Sequence, residues 1–326
     1  MHKQIQFYSD YDGNDLALLE VNNATNETIS QLKEIENHII RLRFQEAPNP
    51  EKLQILSEVL VHPHKSTFIL QLLRENTQKD WINIEDFKMV WNVEQIFISN
   101  RELGFNSLKG IEYFQNLKGL VLALCYDRNL SLAPLQACSK LETISLELPL
   151  TKKQHQDLSL LQSLKKMIVK DLRPDLLQIM STMEFLEVKG LQNTELDKKM
   201  PNLKELLILN SNKLEDVSFI SGLKHLEKLS FLGANKVIKL PTLANLKQLT
   251  YLSLMNMKHL TDIFSIREVK QLRNLRIATN SFTFNDLVWI TPDIFPFLEN
   301  ITIKLKTMRD TNTFLTRFPE IGKIQW

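Results

Sequence analysis

Histidine is the residue type in this chain best suited to binding a metal ion. Among the seven histidines, only His62 and His64 are close in sequence, and they flank Pro63. Two imidazoles at this spacing could contribute to a metal site. Because they stand between a predicted helix and a predicted strand, the sequence favours exposed turn residues over metal ligands.

The two cysteines, Cys125 and Cys138, are the candidate nucleophiles. A reactive thiol needs a positioned base, and the sequence indicates none for either residue. We therefore predict that both thiols are packed in the fold. Two mid-chain cysteines do not form the disulfide-bearing caps of a secreted repeat protein, so we expect free thiols in a reducing compartment.

The acidic stretch at residues 10–15 has an incomplete calcium-loop pattern. Gly13 stands at the fourth place rather than the sixth, and Val21 occupies the twelfth place, where a glutamate would bind the ion. A tight turn at Asp12 and Gly13 is the simpler interpretation. With only 8 glycines, the chain has no glycine-rich phosphate loop. We expect no metal, no cofactor and no catalysis.

The elements that organise the chain are sequence repeats. The frame L-x-x-L-x-L opens at Leu203, Leu226, Leu249 and Leu272, so the period is 23 residues three times running. The last two apolar residues of the frame alternate with polar ones, as in a half-buried β-strand. Stacked in parallel, such strands form one inner apolar face, and each buried side chain contributes roughly 1.5–3 kcal/mol.

This frame resembles that of the leucine-rich-repeat family, most closely its cysteine-type repeats, whose frame continues x-x-C-x-x-L-T-D. Met257–Asp262 fits that continuation, with Met257 in the cysteine position, which Ser211 and Ala234 fill in the two preceding repeats. The resemblance implies an α/β fold, a curved solenoid with a parallel concave sheet and an N-terminal cap. It also implies that partners bind on the concave side.

The frame continues from residue 93 to residue 326 and predicts eleven strands in a solenoid domain. The frames open at Val93, Leu117, Leu141, Leu164, Met183, Leu203, Leu226, Leu249, Leu272, Leu298 and Ile321. The intervals of 19 and 20 residues between Leu164 and Leu203 predict return segments of little more than a turn.

Residues 1–92 are predicted to form an N-terminal capping region of degenerate repeats. Pro50–Val61 has a helical pattern, Ile39–Phe44 and Thr67–Leu72 fit the strand frame, and Ile5–Tyr8 alternates weakly, as a strand would. We expect the cap to cover the strand at Ile96 and Ile98. The residues expected to pack there are Ile39, Leu42, Phe44, Leu70 and Leu72.

Charge and hydropathy indicate a cytoplasmic protein. The formal net charge is +2, from 40 basic and 38 acidic residues, which argues against nonspecific binding to nucleic acid or to an anionic membrane. The first six residues lack the apolar core of a signal peptide. No apolar run reaches the ~18 residues typical of a membrane-spanning helix.

The residues at places three, five and seven of each frame are expected to face away from the core. Apolar side chains gather there on adjacent strands and are surrounded by charges, which is the anatomy of a protein interface. The alternative is that another segment folds over them. The predicted protein-binding residues are Phe185, Leu207, Leu209, Lys228, Leu232, Tyr251, Met255 and Arg276.

The sequence predicts a non-catalytic protein-binding module. The leading hypothesis is an inhibitor, such as an immunity protein that neutralises a toxin, and a cytosolic scaffold or adaptor is the alternative. A nucleic-acid binder would instead use Lys166, Lys170 and Lys189. The last strand frame, at Ile321, could leave an open edge, so we expect a monomer or a weak homodimer formed there.

Overall fold

The computed structural model describes residues 5–9, 15–62, 66–74, 83–100, 105–123, 127–192, 194–318 and 322–323. The chain divides into two compact units, Met1–Leu164 and Lys165–Trp326. The domain boundary predicted after residue 92 falls inside the first of these units and remains a prediction.

The strands described in the first unit follow one another across their sheet in chain order. They are β1 (Ile5–Ser9), β2 (Asp15–Glu20), β3 (Ile39–Phe44), β4 (Thr67–Arg74), β5 (Gln95–Asn100), β6 (Gly119–Ala123) and β7 (Thr143–Pro149). β1 pairs antiparallel with β2, and every later pair up to β6 and β7 is parallel. The sequence predicted β1, β3 and β4 but not β2.

Short helices connect these strands. The α-helices are α1 (Asn26–Ser30), α2 (Pro50–Val61) and α3 (Lys152–Leu158), and the 3₁₀ helices span Val21–Asn23, Gln31–Glu34, Ile84–Val90, Ile111–Tyr113 and Ala133–Ala137. α2 has the predicted bounds because Asn49 caps it and Pro50 begins it. The Asn49 side chain accepts from the backbone N–H of Glu51 at 2.8 Å.

The capping strands stack in register, as the frames predicted. Leu70 and Leu72 lie beside Ile96 and Ile98 of β5, and all four side chains are buried. Because parallel neighbours in register share one face, the apolar residues of the capping strands and of β5 form one layer of the core.

The prediction for Ile39 is wrong, because the side chain that packs inward is that of Ile40. Ile40 is fully buried and Ile39 is partly exposed. In a typical repeat the first residue of the frame precedes the strand by two positions, as Leu203 does, and is free to turn inward. At Ile39 the strand has already begun, so strict alternation points Ile39 away from the core.

The second unit holds the strands β8 (Lys166–Lys170), β9 (Phe185–Lys189), β10 (Glu205–Leu209), β11 (Lys228–Leu232), β12 (Tyr251–Met255), β13 (Asn274–Ala278), β14 (Asn300–Lys304) and β15 (Gly322–Lys323). All described pairs are parallel and follow chain order. Each of the eleven predicted frames contains one of the strands β5–β15, so that prediction is confirmed.

The return segments of the second unit are short helices and turns. They include α4 (Leu196–Lys199), α5 (Met308–Leu315) and 3₁₀ helices at Pro174–Leu176, Ser218–Gly222, Phe264–Glu268 and Asn285–Leu287. Asp216 and Asp262, two repeats apart, begin equivalent turns. Their carboxylates accept from the N–H of Ser218 at 2.8 Å and of Phe264 at 3.0 Å, which explains why the chain turns at the same frame position.

The core of the second unit lies between its strands and these return segments. The inward residues at the fourth and sixth frame places are fully buried, as predicted: Leu206, Ile208, Leu229, Phe231, Leu252 and Leu254. Near the last strand, Phe314 and Phe318 are buried and stack at 5.4 Å between ring centroids. Homodimer formation at the edge of β15 remains a prediction, and Trp326 lies outside the described residues.

Cys138 should react with thiol reagents only slowly in the native protein. Its side chain is 5% exposed, and burial raises the pKa of its thiol to about 11. The pKa of this thiol is higher in the folded protein than the ordinary value of 9.0 that applies in the unfolded chain, so the thiolate forms first in unfolded molecules. The free energy of unfolding should therefore fall as pH rises from 9.0 towards about 11. Labelling of a Cys125→Ser variant, with and without denaturant, measures this thiol alone. Rapid labelling of Cys138 in the native protein would contradict the conclusion that its thiol is packed in the core.

Candidate functional site

The predicted binding residues lie on the face of the second unit's sheet opposite to its core. In-register pairing arranges the outward positions in three rows across β8–β14. The third-place row is Lys166, Phe185, Glu205, Lys228, Tyr251, Asn274 and Asn300. The fifth-place row is Ile168, Glu187, Leu207, Ser230, Ser253, Arg276 and Thr302. The seventh-place row is Lys170, Lys189, Leu209, Leu232, Met255, Ala278 and Lys304.

Five apolar or aromatic side chains of these rows stand together on β10, β11 and β12. We call them the outward cluster: Leu207, Leu209, Leu232, Tyr251 and Met255. All five are partly exposed, in contrast with the fully buried residues that alternate with them. Neighbouring strands are about 4.8 Å apart, so Leu209, Leu232 and Met255 stand side by side in one row. Leu207 lies two residues from Leu209 on β10, and Tyr251 lies two residues from Met255 on β12.

Two cations beside the cluster each contact an aromatic residue. The Lys166 ammonium lies 4.4 Å from the centroid of the Phe185 ring, a cation–π contact. On the other side, Nη1 of Arg276 donates to the hydroxyl of Tyr251 at 3.5 Å. The structure therefore places Phe185 and Arg276 on opposite sides of the cluster, each beside a partner.

Charged residues occupy several of the remaining positions around the cluster, and the others are small or polar residues such as Ser230 and Asn274. Lys228 donates to Glu205 at 2.8 Å, but both are exposed enough that this pair contributes only about 0–1 kcal/mol to stability. Lys170 and Lys189 lie side by side on β8 and β9, and Lys166 stands two residues from Lys170. These are the three lysines predicted as a nucleic-acid patch, and they lie on one face.

Three outward residues are more buried than their positions predict. Ser253 is 1% exposed, Thr302 is 3% exposed and Ala278 is 6% exposed. Ser253 stands between Tyr251 and Met255 on the same strand, with Arg276 beside it on β13. Because these neighbours are much longer, they leave the serine little access to solvent.

A polar groove continues from the end of the seventh-place row. Asn210, Gly233 and Asn256 directly follow β10, β11 and β12, and all three have positive φ angles. A side chain at Gly233 would place its Cβ 2.8 Å from Oδ1 of Asn210, so glycine and asparagine alternate for a steric reason. The groove has a volume of about 490 Å³ and is lined by Asn210, Gly233, Asn235, Asn256, Lys258, Thr279, Asn280 and Ser281.

The hydrophobic pattern of the sequence did not predict this groove. Asn210 and Asn256 occupy the same frame position two repeats apart, with Gly233 between them. Asparagine and glycine are the residues that tolerate a left-handed backbone. That recurrence was the available signal that the chain turns sharply at the end of each of these strands.

No group of three or more His, Cys, Asp or Glu side chains among the described residues could hold a metal ion. His62 is exposed at the end of α2, as the turn interpretation predicted, whereas Pro63 and His64 lie outside the described residues. Residues 10–14 and Cys125, which figured in the calcium and thiol predictions, also lie outside them. No helix within the described ranges is long and apolar enough to cross a membrane.

No protein-family model matches the chain, and neither does any curated protein. Among solved structures, the leucine-rich-repeat protein TLR13, solved in complex with ssRNA13, superposes with a TM-score of 0.50 at 15% identity, over 94% of this chain and 49% of that one. The fold is that of the leucine-rich-repeat proteins. This chain spans about half the length of TLR13.

Two further leucine-rich-repeat structures are similar at 15% identity. A protein of Leptospira interrogans matches with a TM-score of 0.41, over 93% of this chain and 92% of its own. Mouse RP105, solved with MD-1, matches with a TM-score of 0.49, over 94% of this chain and 69% of its own. The TLR13 superposition, together with the stacked parallel strands, confirms the fold predicted from the repeat frame.

Proposed function

We propose that this leucine-rich-repeat chain is a non-catalytic module that binds another protein on the outward face of β9–β13. The observation that carries the proposal is the outward cluster, five large apolar or aromatic side chains on three adjacent strands that are all partly exposed. Apolar surface of this kind at the centre of a charged rim is typical of interfaces. Solenoids of this class generally present such extended surfaces to partners.

We further propose that the binding is inhibitory and that the protein is cytoplasmic. A module that binds its partner without modifying it can act by blocking that partner, as an immunity protein blocks a toxin. A scaffold or adaptor role is the alternative, and it requires two partners to bind at once. If this protein and the partner's own substrate cannot bind the partner at the same time, inhibition is supported. If this protein binds two partners in one ternary complex, the scaffold role is supported.

Nucleic-acid binding is the second candidate, because Lys166, Lys170 and Lys189 lie together on β8 and β9. The outward cluster beside them has no role in contacts to phosphates. A nucleic-acid complex should weaken steeply with added salt, whereas a complex centred on apolar contacts should weaken much less.

The proposal is tested by capture from extracts of the source cells with two immobilised variants. The double variant Leu209→Asp/Leu232→Asp should lose the proteins that the wild type retains, because two carboxylates would be placed in the apolar centre. The matched control is Ile179→Asp/Ile238→Asp, which makes the same change at side chains 69% and 61% exposed outside the outward rows.

The control should retain the same proteins as the wild type, and both variants should melt at the wild-type temperature. If the cluster variant stays folded and captures the same proteins as the control, binding lies elsewhere on the molecule. The loops that follow each strand would then be the next surface to test.

A further inference from the structure

The seventh-place row has a charge pattern that specifies its partner more closely. In strand order from β8 to β14 it is two lysines, four apolar residues and one lysine: Lys170, Lys189, Leu209, Leu232, Met255, Ala278 and Lys304. At about 4.8 Å per strand, the apolar part spans roughly 14 Å, and Lys189 and Lys304 are roughly 24 Å apart. The row thus has a cation at each end and no carboxylate.

The three lysines of the row have no compensating anion among the described residues. Lys189 and Lys304 are exposed, Lys170 is partly exposed, and none of them forms an ion pair with another described residue. Elsewhere in the second unit, lysines such as Lys204 and Lys236 are paired with Glu184 and Glu215. Ion pairs therefore occur elsewhere in the second unit, and none is formed by the described residues at the ends of the row.

The surroundings of the row have the same sign. The outward positions of β8–β14 carry six cations, Lys166, Lys170, Lys189, Lys228, Arg276 and Lys304, against two carboxylates, Glu187 and Glu205. The face thus has an excess of four positive charges on a chain whose formal net charge is +2. The groove beside the row adds Lys258 and asparagine amides and has no carboxylate in its lining.

We infer that the partner docks through an acidic segment, with apolar side chains at its centre and Asp or Glu residues at both ends. This inference rests on the proposed function and names the chemistry of the partner. The central side chains lie on Leu209, Leu232 and Met255, and the flanking carboxylates meet Lys170 and Lys189 at one end and Lys304 at the other. A second copy of this chain is disfavoured on this face, because two positively charged surfaces would be opposed.

A nucleic acid fits the row less well than an acidic protein segment. Its phosphates need a continuous track of cations, and the row interrupts that track with four apolar residues. An acidic protein segment uses both parts of the row, since complementary charges accelerate the encounter and apolar contacts hold the complex.

The test uses a library of random peptides long enough to span the row, selected on the full-length protein. The peptides that bind the wild type but not Leu209→Asp/Leu232→Asp should be enriched in Asp and Glu on both sides of an apolar core. Their association with Lys189→Glu/Lys304→Glu should be slower by about tenfold or more, and added salt should reduce the difference. The matched control is Lys224→Glu/Lys247→Glu, the same change of charge at exposed lysines outside the rows, which should bind as the wild type does.

Each other outcome overturns the inference in a distinct way. Cluster-dependent peptides without acidic enrichment would leave the proposed function intact and remove the acidic partner. The selected peptides could instead be acidic without an apolar core, bind the cluster variant and be displaced by single-stranded oligonucleotides. That outcome would favour a polyanion, such as a nucleic acid, as the partner. If no selected peptide depends on Leu209 and Leu232, the proposed function fails together with the inference.

Discussion

Deleting residues 1–92 should turn the protein into an aggregating product. The deletion removes β1–β4 and α2, and thereby uncovers the edge of β5, where Ile96 and Ile98 are now buried beside Leu70 and Leu72. An exposed apolar strand edge pairs readily with other chains, and a solenoid without its cap exposes its core. Sedimentation and calorimetry of the truncated chain measure this result.

A single substitution in the full-length chain tests whether the contacts of the capping region, rather than its length, stabilise the first unit. Leu70→Asp places a carboxylate in the layer between β3 and β5 and should strongly destabilise the first unit. Ile69→Asp, one residue earlier on the partly exposed side of β4, is the matched control and should have a small effect. A soluble, cooperatively melting fragment 93–326 would contradict the integral role of the cap.

Phe231→Ala and Leu232→Ala should differ greatly in their effect on stability although the residues are adjacent. Phe231 is fully buried, and its truncation should cost about 3–5 kcal/mol in the free energy of unfolding. Leu232 is partly exposed on the opposite face, so its truncation should cost roughly 1 kcal/mol or less. Urea unfolding of the two variants, followed by circular dichroism, gives both values.

The same pair distinguishes an open cluster from a covered one. If Leu232→Ala destabilises the protein as much as Phe231→Ala does, a further segment of the chain covers the outward cluster and the interface lies elsewhere. Ser230→Ala, in the fifth-place row two residues before Leu232 on β11, serves as a control that removes only a hydroxyl from a partly exposed position.

The repeated strands could be predicted because their frame contains both the period and the alternation. If a strand shifted by one residue, its apolar side chains would all point to the solvent face of the sheet. The inward residues of a strand, such as Leu206 and Ile208, are therefore enough to determine its register. The same alternation identified Leu207 and Leu209 as outward residues. Prediction of the outward cluster therefore needed only the repeat frame.

The less regular elements could not be predicted in this way. β2 contains Leu16, Ala17, Leu18 and Leu19, all buried, and a continuous apolar run does not distinguish a strand from a helix by periodicity. The polar groove was missed because it depends on backbone angles after each strand rather than on hydrophobic pattern. Whether the cluster is an interface is a question about a second molecule, and the sequence of one chain identifies only the surface.

The most direct test of the protein-binding face is calorimetric titration of the captured partner into two purified variants. Leu209→Asp/Leu232→Asp should bind with a Kd at least about 30-fold weaker than the wild type, which corresponds to about 2 kcal/mol at the centre of an interface. Ile179→Asp/Ile238→Asp should bind as the wild type does, and both variants should melt as it does. A folded cluster variant whose Kd stays within about threefold of the wild-type value would contradict the assignment of this face.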